Sequence, residues 1–214
     1  MDSKPIRMVT VPKAVIKRLP MYFRFINQLI EQGTERISSR ELSQLMGITS
    51  SQLRQDLSYF GEFGQQGYGY KVVTLKQAIS SIIGLEKIYN AIIVGAGNMG
   101  KAIAGYPGFS RRGLKIIGIF DNNPEIIGNK LGSLDVLDVK TLPEFLNKNP
   151  VEVGIITTPA SVAQEIADIL ITAGVKGIWN FAPVLLHGNK NVIIEDIHVG
   201  DSLMTLFFKL NKNK

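Results

Sequence analysis

Three glycines, Gly95, Gly97 and Gly100, stand in the spacing G-x-G-x-x-G directly after a short apolar run, Ala91 to Val94. The run has the length of a buried strand, and the residues after it turn helical, with Met99, Ala102 and Ile103 expected on one face. Each glycine has a separate job in a dinucleotide site. Gly95 permits the tight turn off the strand. Gly97 has no Cβ, so a pyrophosphate can approach the backbone. Gly100 lets the helix pack close. The free N–H groups and positive dipole end of that helix then face the phosphates. The expected cradle is Gly95, Ala96, Gly97, Asn98, Met99 and Gly100. A second apolar run, Lys115 to Phe120, ends on Asp121, which lies 21 residues after Gly100. A carboxylate at about that distance takes the hydroxyls of the adenine ribose. It repels a 2′-phosphate, so NAD(H) is expected over NADP(H). The competing reading makes Asp121 a turn residue before Asn122-Asn123-Pro124.

Catalytic chemistry has little to work with. Hydride transfer to a carbonyl needs a proton donor beside the substrate. The chain has no Tyr-x-x-x-Lys pair, and its two histidines are His187, in an expected loop, and His198. No catalytic residue is assigned, an NAD-dependent dehydrogenase is kept as the alternative, and a CoA- or nucleotide-binding domain with an interaction module stands third. Cysteine is absent, which excludes disulfides and Cys-ligated metals. No metal constellation is visible. Lys101, Arg111 and Arg112 read first as solvated side chains, with a phosphate contact the alternative for Lys101 and a nucleotide or DNA contact the alternative for the two arginines.

The elements that must position the cradle follow a βαβ rhythm. Expected strands are Leu134 to Val139, Val151 to Thr157, Lys176 to Phe181 and Val192 to Glu195. Expected helices are Pro143 to Asn147 and one from Thr158-Pro159 to Gly174 that buries Val162, Ile166, Ile169 and Leu170. Such alternation implies a parallel sheet covered on both faces.

The N-terminal part has another character. Residues 1–85 hold 11 Lys and Arg against 6 Asp and Glu, while 86–214 hold 13 against 12, so most of the net charge of +6 sits in the first part. A polyanion is the natural partner. Residues 1–12 read as a lead-in. A helix carrying Val15, Ile16 and Leu19 is expected to break at Pro20, before a second from Met21 to Gln32. Arg40 to Met46, with Leu42 and Leu45 buried, the turn at Gly47, and a helix capped by Thr49 or Ser50 make a helix-turn-helix. Its second helix turns Ser50, Ser51, Gln52, Arg54 and Gln55 outward, side chains suited to base edges and phosphates. A Gly-rich hairpin from Gly61 to Val73 follows as a wing, and a helix from Leu75 to Ile88 joins the two halves.

The last segment, His198 to Asn211, is apolar around most of a helix: Val199, Leu203, Met204, Leu206, Phe207, Phe208 and Leu210. One sheet face cannot cover it, so a second copy of the chain is expected to do so, making a two-fold dimer. No run is long and apolar enough for a membrane span, no leader is visible at Met1 to Lys4, and the expected compartment is the cytoplasm.

Several separated stretches together resemble the Rex family of NADH-responsive transcriptional repressors: Arg18 to Arg24, Ser51 to Gly61, Gly67 to Tyr70, the glycine loop, Tyr106, Phe120-Asp121, Thr158-Pro159-Ala160 and Asn180 to Pro183. The resemblance implies an α/β fold: an N-terminal winged helix-turn-helix over 1–84, a Rossmann-type domain over 85–197 and a domain-swapped C-terminal helix over 198–214. It implies operator DNA released when NADH binds. Arg18, Ser51, Gln52, Arg54, Tyr59 and Tyr68 would serve DNA. Tyr106 would act near the nicotinamide, with Thr158, Pro159 and Phe181 also at the nucleotide. Two departures stand out. The wing tip carries Gln65-Gln66 where the family is usually basic, and His198 stands where an acid is common.

Overall fold

The computed structural model describes residues 11–61, 63–65 and 68–212. The lead-in up to residue 10 and the wing tip at Gln66 lie outside them, as does the side chain of Gln65. Contacts divide the chain into two units, up to Lys87 and from Ile88.

In the first unit, helix α1 (Lys13–Glu31) runs unbroken through Pro20. A proline inside a helix removes one hydrogen bond and crowds the preceding turn, at a cost of about 3 kcal/mol. Here the apolar stripe Val15, Leu19, Tyr22, Ile26 and Leu29 continues across it into the core, and Pro20 faces solvent. Tertiary burial therefore overrides the break expected from the sequence. Ile16 is left outside, 52% exposed.

The short strand β1 (Arg36–Ile37) leads to α2 (Ser39–Met46), which opens on a capping box: Ser38 Oγ accepts from the Glu41 N–H, and Glu41 Oε2 accepts from the Ser38 N–H. Gly47, at φ +67, makes the left-handed turn out of α2. Helix α3 (Ser50–Ser58) begins at Thr49, whose hydroxyl accepts from the Gln52 N–H. Leu42 and Met46 face inward, while Leu45, expected in the core, is 53% exposed. Positions 42 and 46 share a face one turn apart, and 45 falls beside it.

Strands β2 (Gly64–Gln65) and β3 (Gly69–Lys71) pair antiparallel, and β3 also pairs with β1 in the order β1-β3-β2. This is the wing. Helix α4 (Val72–Ile83) starts directly on β3, earlier than the expected Leu75, and buries Val72, Leu75 and Ile79 among the side chains of α1.

The second unit is a seven-stranded sheet. Strands β4 (Tyr89–Val94), β5 (Leu114–Asp121), β7 (Leu134–Asp138), β8 (Val153–Ile156), β9 (Gly177–Asn180) and β10 (Ile193–Asp196) are parallel; β6 (Lys130–Leu131) is an antiparallel edge. The order is β10-β9-β8-β4-β5-β7-β6. The chain builds outward from β4 in one direction, then returns to build in the other, so the order reverses between β4 and β8. In open parallel sheets that reversal leaves a crevice at the carboxyl ends of the strands.

Alternating side chains of β4 feed two cores. Ile92 and Val94 pack with Leu142, Ala163, Ile166 and Leu170 from α7 (Leu142–Lys148) and α8 (Ala160–Thr172). Ala91 and Ile93 pack with Ile103 of α5 (Asn98–Gly105) on the other face. In α5, Gly100 and Ile103 turn inward, whereas Met99 is 40% exposed and Ala102 faces solvent, contrary to the expected face. A short α6 (Pro107–Ser110) and the terminal α9 (Val199–Lys212) complete the chain. Among the described residues, no helix is long and apolar enough to cross a membrane.

Candidate dinucleotide cleft and nucleic-acid face

The crevice at the reversal point is a cleft of about 910 Å³. Its near wall is made by Val94 and Gly95 leaving β4 and by Thr157 and Thr158 leaving β8. The three glycines differ in what surrounds them. Gly95 sits at φ +106, and a Cβ there would meet the Thr157 backbone at 2.8 Å. A Cβ on Gly100 would run into the Gly95 carbonyl oxygen, so helix and turn touch only because Gly100 lacks one. Gly97 is different: a Cβ would meet nothing within 4 Å. Its bare face opens into the cleft, and no side chain caps the N-terminus of α5 behind it. That is the geometry of an anion seat.

Asp121 closes one end. Its Oδ2 accepts from the Ala96 N–H at 2.6 Å and its Oδ1 from the Asn123 N–H at 2.8 Å. The carboxylate thus ties the glycine loop to the end of β5, and each oxygen keeps a second lone pair for a ligand hydroxyl. We expect Asp121→Ala to leave the buried Ala96 N–H unpartnered, costing about 1–3 kcal/mol of stability. The same variant should lose selectivity for NADH over NADPH. Urea unfolding and nucleotide titration on one sample check both; wild-type values in both would leave Asp121 as a turn residue only.

Thr158, Pro159 and Phe181 line the cleft with Gly95, Gly97 and Asp121, whereas Tyr106 is not part of that lining. Tyr106 is 53% exposed and packs edge-on against Phe109 at 4.9 Å; Phe109 meets Trp179 at 5.2 Å, and Trp179 meets Phe181 at 4.7 Å. An aromatic row therefore connects Tyr106 with the cleft wall. The Thr158 hydroxyl is buried without a partner, which leaves one polar group available to a ligand. Ala96, Asn98, Met99 and Gly100 are not part of that lining: Ala96 and Gly100 are buried, while Asn98, which begins α5, and Met99 are exposed.

Sequence reasoning missed the far wall, where Val139, Lys140, Pro143, Val162, Ile166 and Ile169 converge. Val162, expected inside, is 37% exposed toward this space. It also missed Thr157, whose hydroxyl donates to the Gly95 carbonyl at 2.6 Å and so holds the turn. The polar pair Thr157-Thr158 closing an apolar strand was its one signal.

In the first unit, Ser51 and Arg54 face solvent on α3 and Gln52 is half-buried. Arg54 reaches Ser39 Oγ at 3.1 Å, so its guanidinium lies along the outer face of α2 and α3. Tyr68 on the wing is 70% exposed, and Tyr59 is half-buried at the end of α3. Arg18 is placed otherwise: its Nε and Nη2 both donate to the Asp56 carboxylate. Missed from the sequence was Asp56 itself, 3% exposed inside the first unit. Burial opposes its ionisation, but hydrogen bonds from Arg18 and Tyr22 outweigh that and hold it below the usual carboxylate range.

Comparison with known proteins converges on one family. Residues 86–184 match the family described as CoA binding domain, and residues 10–58 match the putative DNA-binding protein N-terminus. The redox-sensing transcriptional repressor Rex of Clostridium perfringens is 49% identical over 95% of this chain and 96% of its own length. That of Clostridium botulinum is 48% identical over the whole of both chains. The chain belongs to the Rex family of redox-sensing repressors. Solved structures agree with that placement. RSP in complex with NAD⁺ and operator DNA superposes with a TM-score of 0.91 at 48% identity, covering 96% of this chain and 94% of that one. RSP in complex with NADH gives 0.90 at 45%, covering 96% of each. The near relatives of this Rex-family chain are repressors, so the dehydrogenase alternative is set aside.

Proposed function

We propose that this chain represses transcription as a cytoplasmic homodimer, binding operator DNA through α3 and the wing and letting go when NADH fills the cleft. It thereby reads the NADH/NAD⁺ ratio. The observation that carries the reading is the bare face of Gly97 at the uncapped start of α5, with Asp121 at the ribose end, in one chain with a winged helix-turn-helix. The match to a CoA-binding family fits the adenine half of the ligand. CoA itself carries a 3′-phosphate on the adenine ribose, which the Asp121 carboxylate would repel, so NAD(H) is favoured.

The nucleotide residues are Gly95, Ala96, Gly97, Asn98, Met99, Gly100, Asp121, Thr158, Pro159 and Phe181, with Tyr106 toward the nicotinamide. The DNA residues are Ser51, Gln52, Arg54, Tyr59 and Tyr68, with Arg18 supporting them. The proposed parts of the chain are 1–84, 85–197 and 198–214. Gln65 and Gln66 in place of cations remove phosphate contacts, which lowers affinity and salt dependence together. His198, which is exposed, puts an imidazole with an N–H donor where an acid offers only acceptors, so the preference for NADH over NAD⁺ is expected to differ from that of relatives with an acid there.

The mechanism is a population shift. NADH weakens DNA binding only by the amount that it prefers the DNA-incompetent arrangement. We expect NADH to lower operator affinity about 10- to 100-fold at fixed salt, with NAD⁺ a weak competitor. An operator titration in which saturating NADH changes nothing would refute the proposal.

A further inference from the structure

The reading head carries an acid on its own recognition helix. Asp56 is the seventh residue of α3, and its side chain is 4% exposed. Two donors from α1 hold it in a fork: Arg18 Nε to Oδ2 at 2.6 Å and Arg18 Nη2 to Oδ1 at 2.9 Å. Tyr22, one turn further along α1 and fully buried, donates its hydroxyl to Oδ2 at 2.5 Å. Burial, then the bond to Asp56, push the Tyr22 hydroxyl up to about 12, so it stays a donor throughout the working range.

A buried ion pair is a poor way to add stability, because an apolar pair of the same volume does as well or better. A negative charge is also unwelcome in a module that meets phosphates. What the fork supplies is direction. Leu53 and Leu57, the apolar neighbours of Asp56 on α3, pack with Leu19 and Ile26 of α1. Such contacts hold α3 down without fixing its roll or slide. A planar guanidinium on a planar carboxylate fixes both. At the first residue of α3, the hydroxyls of Ser50 and Ser43 lie 2.9 Å apart, which sets the start of the helix against α2. The fork sets its body against α1.

We propose that Arg18, Asp56 and Tyr22 are positioning residues for operator recognition: they set the angle at which α3 offers Ser51, Gln52 and Arg54 to the bases. Arg18 then serves DNA through Asp56 and not by contacting a phosphate. This deepens the DNA-binding reading given above and rests on it.

The two roles for Arg18 separate in salt. Loss of a phosphate contact weakens every sequence alike and reduces the slope of log affinity against log salt by about one. Loss of positioning lowers discrimination and leaves the slope alone. The test uses the full-length protein, the duplex that the wild type enriches from a randomised pool, and a scrambled duplex of the same composition. Binding of both is followed by fluorescence anisotropy over a salt series.

Arg18→Met and Asp56→Asn should each reduce the ratio of selected to scrambled affinity about 10- to 100-fold, the size of one or two lost base contacts. Scrambled binding and the salt slope should stay at wild-type values. The double variant Arg18→Met, Asp56→Leu replaces the pair by apolar volume and keeps the experiment open if a single variant unfolds. It should fold by circular dichroism and still discriminate poorly. Wild-type discrimination in the double variant would overturn the inference, as would an equal loss on both duplexes with a slope reduced by about one. A wild type that enriches no sequence would instead overturn the underlying DNA-binding reading, from the wild-type arm alone.

Discussion

Gly97→Ala should fold as stably as the wild type and fail to bind NADH, whereas Gly100→Ala should lose both stability and binding. The backbone at Gly97 is at φ −68 and ψ −167, which alanine adopts freely, and its Cβ would meet nothing within 4 Å. Replacing a glycine under those conditions is neutral or stabilises by up to about 1 kcal/mol, because the unfolded chain loses freedom. The methyl nonetheless stands where a pyrophosphate must lie against the amides that open α5. Charge-assisted bonds of that kind contribute about 1.5–3 kcal/mol each. Losing one or two weakens binding by roughly 10- to 10⁴-fold.

Gly100 faces inward, and its added methyl meets the Gly95 carbonyl oxygen. That oxygen cannot retreat, because the Thr157 hydroxyl holds it at 2.6 Å and Gly95 itself is at φ +106. Overpacking costs about 1–3 kcal/mol, and the strained turn would be displaced with the loop. Thermal unfolding without nucleotide, followed by an NADH fluorescence titration, separates the two variants. NADH bound at wild-type affinity by Gly97→Ala would mean that the dinucleotide does not use this seat.

What could be read from the sequence was what is local. The glycine triplet, the cap at Thr49 and the turn at Gly47 each depend on neighbours a few residues away. Their chemistry therefore survives in one dimension. Pro20 and Leu45 misled for the opposite reason. Whether a helix continues through proline, or whether both Leu42 and Leu45 are buried, depends on what the rest of the fold presses against it. The far wall of the cleft was invisible because Val139 and Lys140 meet Ile166 and Ile169 only through the order of strands in the sheet. The clamp on Asp56 joins residues 38 apart in sequence, and no spacing rule links an arginine on one helix to an aspartate on another. The acid inside the run Arg54-Gln55-Asp56 was on view from the start, but only its burial shows that it turns into the core.

The largest effect on DNA is expected from the helix furthest from it in sequence. Seven apolar residues of α9, from Val199 to Leu210, are each 49–62% exposed, and none of the helix is buried. Covering the exposed part of each is worth roughly 1 kcal/mol or more, so a symmetric pair gains on the order of 15 kcal/mol. Association costs about 4–15 kcal/mol, which leaves a dimer sustained by this surface but not by much less. Replacing Leu206 and Phe207 together by glutamate removes two of the seven from each protomer and places four carboxylates in the interface. We expect the variant to sediment as a monomer. Each reading head must then find its half-site alone, without the millimolar effective concentration that its twin provides, and operator affinity should fall by about 10²- to 10⁴-fold. The nucleotide contacts proposed for Gly97 and Asp121 belong to one protomer, so NADH should still bind the monomer. A variant that sediments as a dimer, or a monomer that holds the operator as tightly as the wild type, would show that α9 is not what brings two reading heads to one duplex.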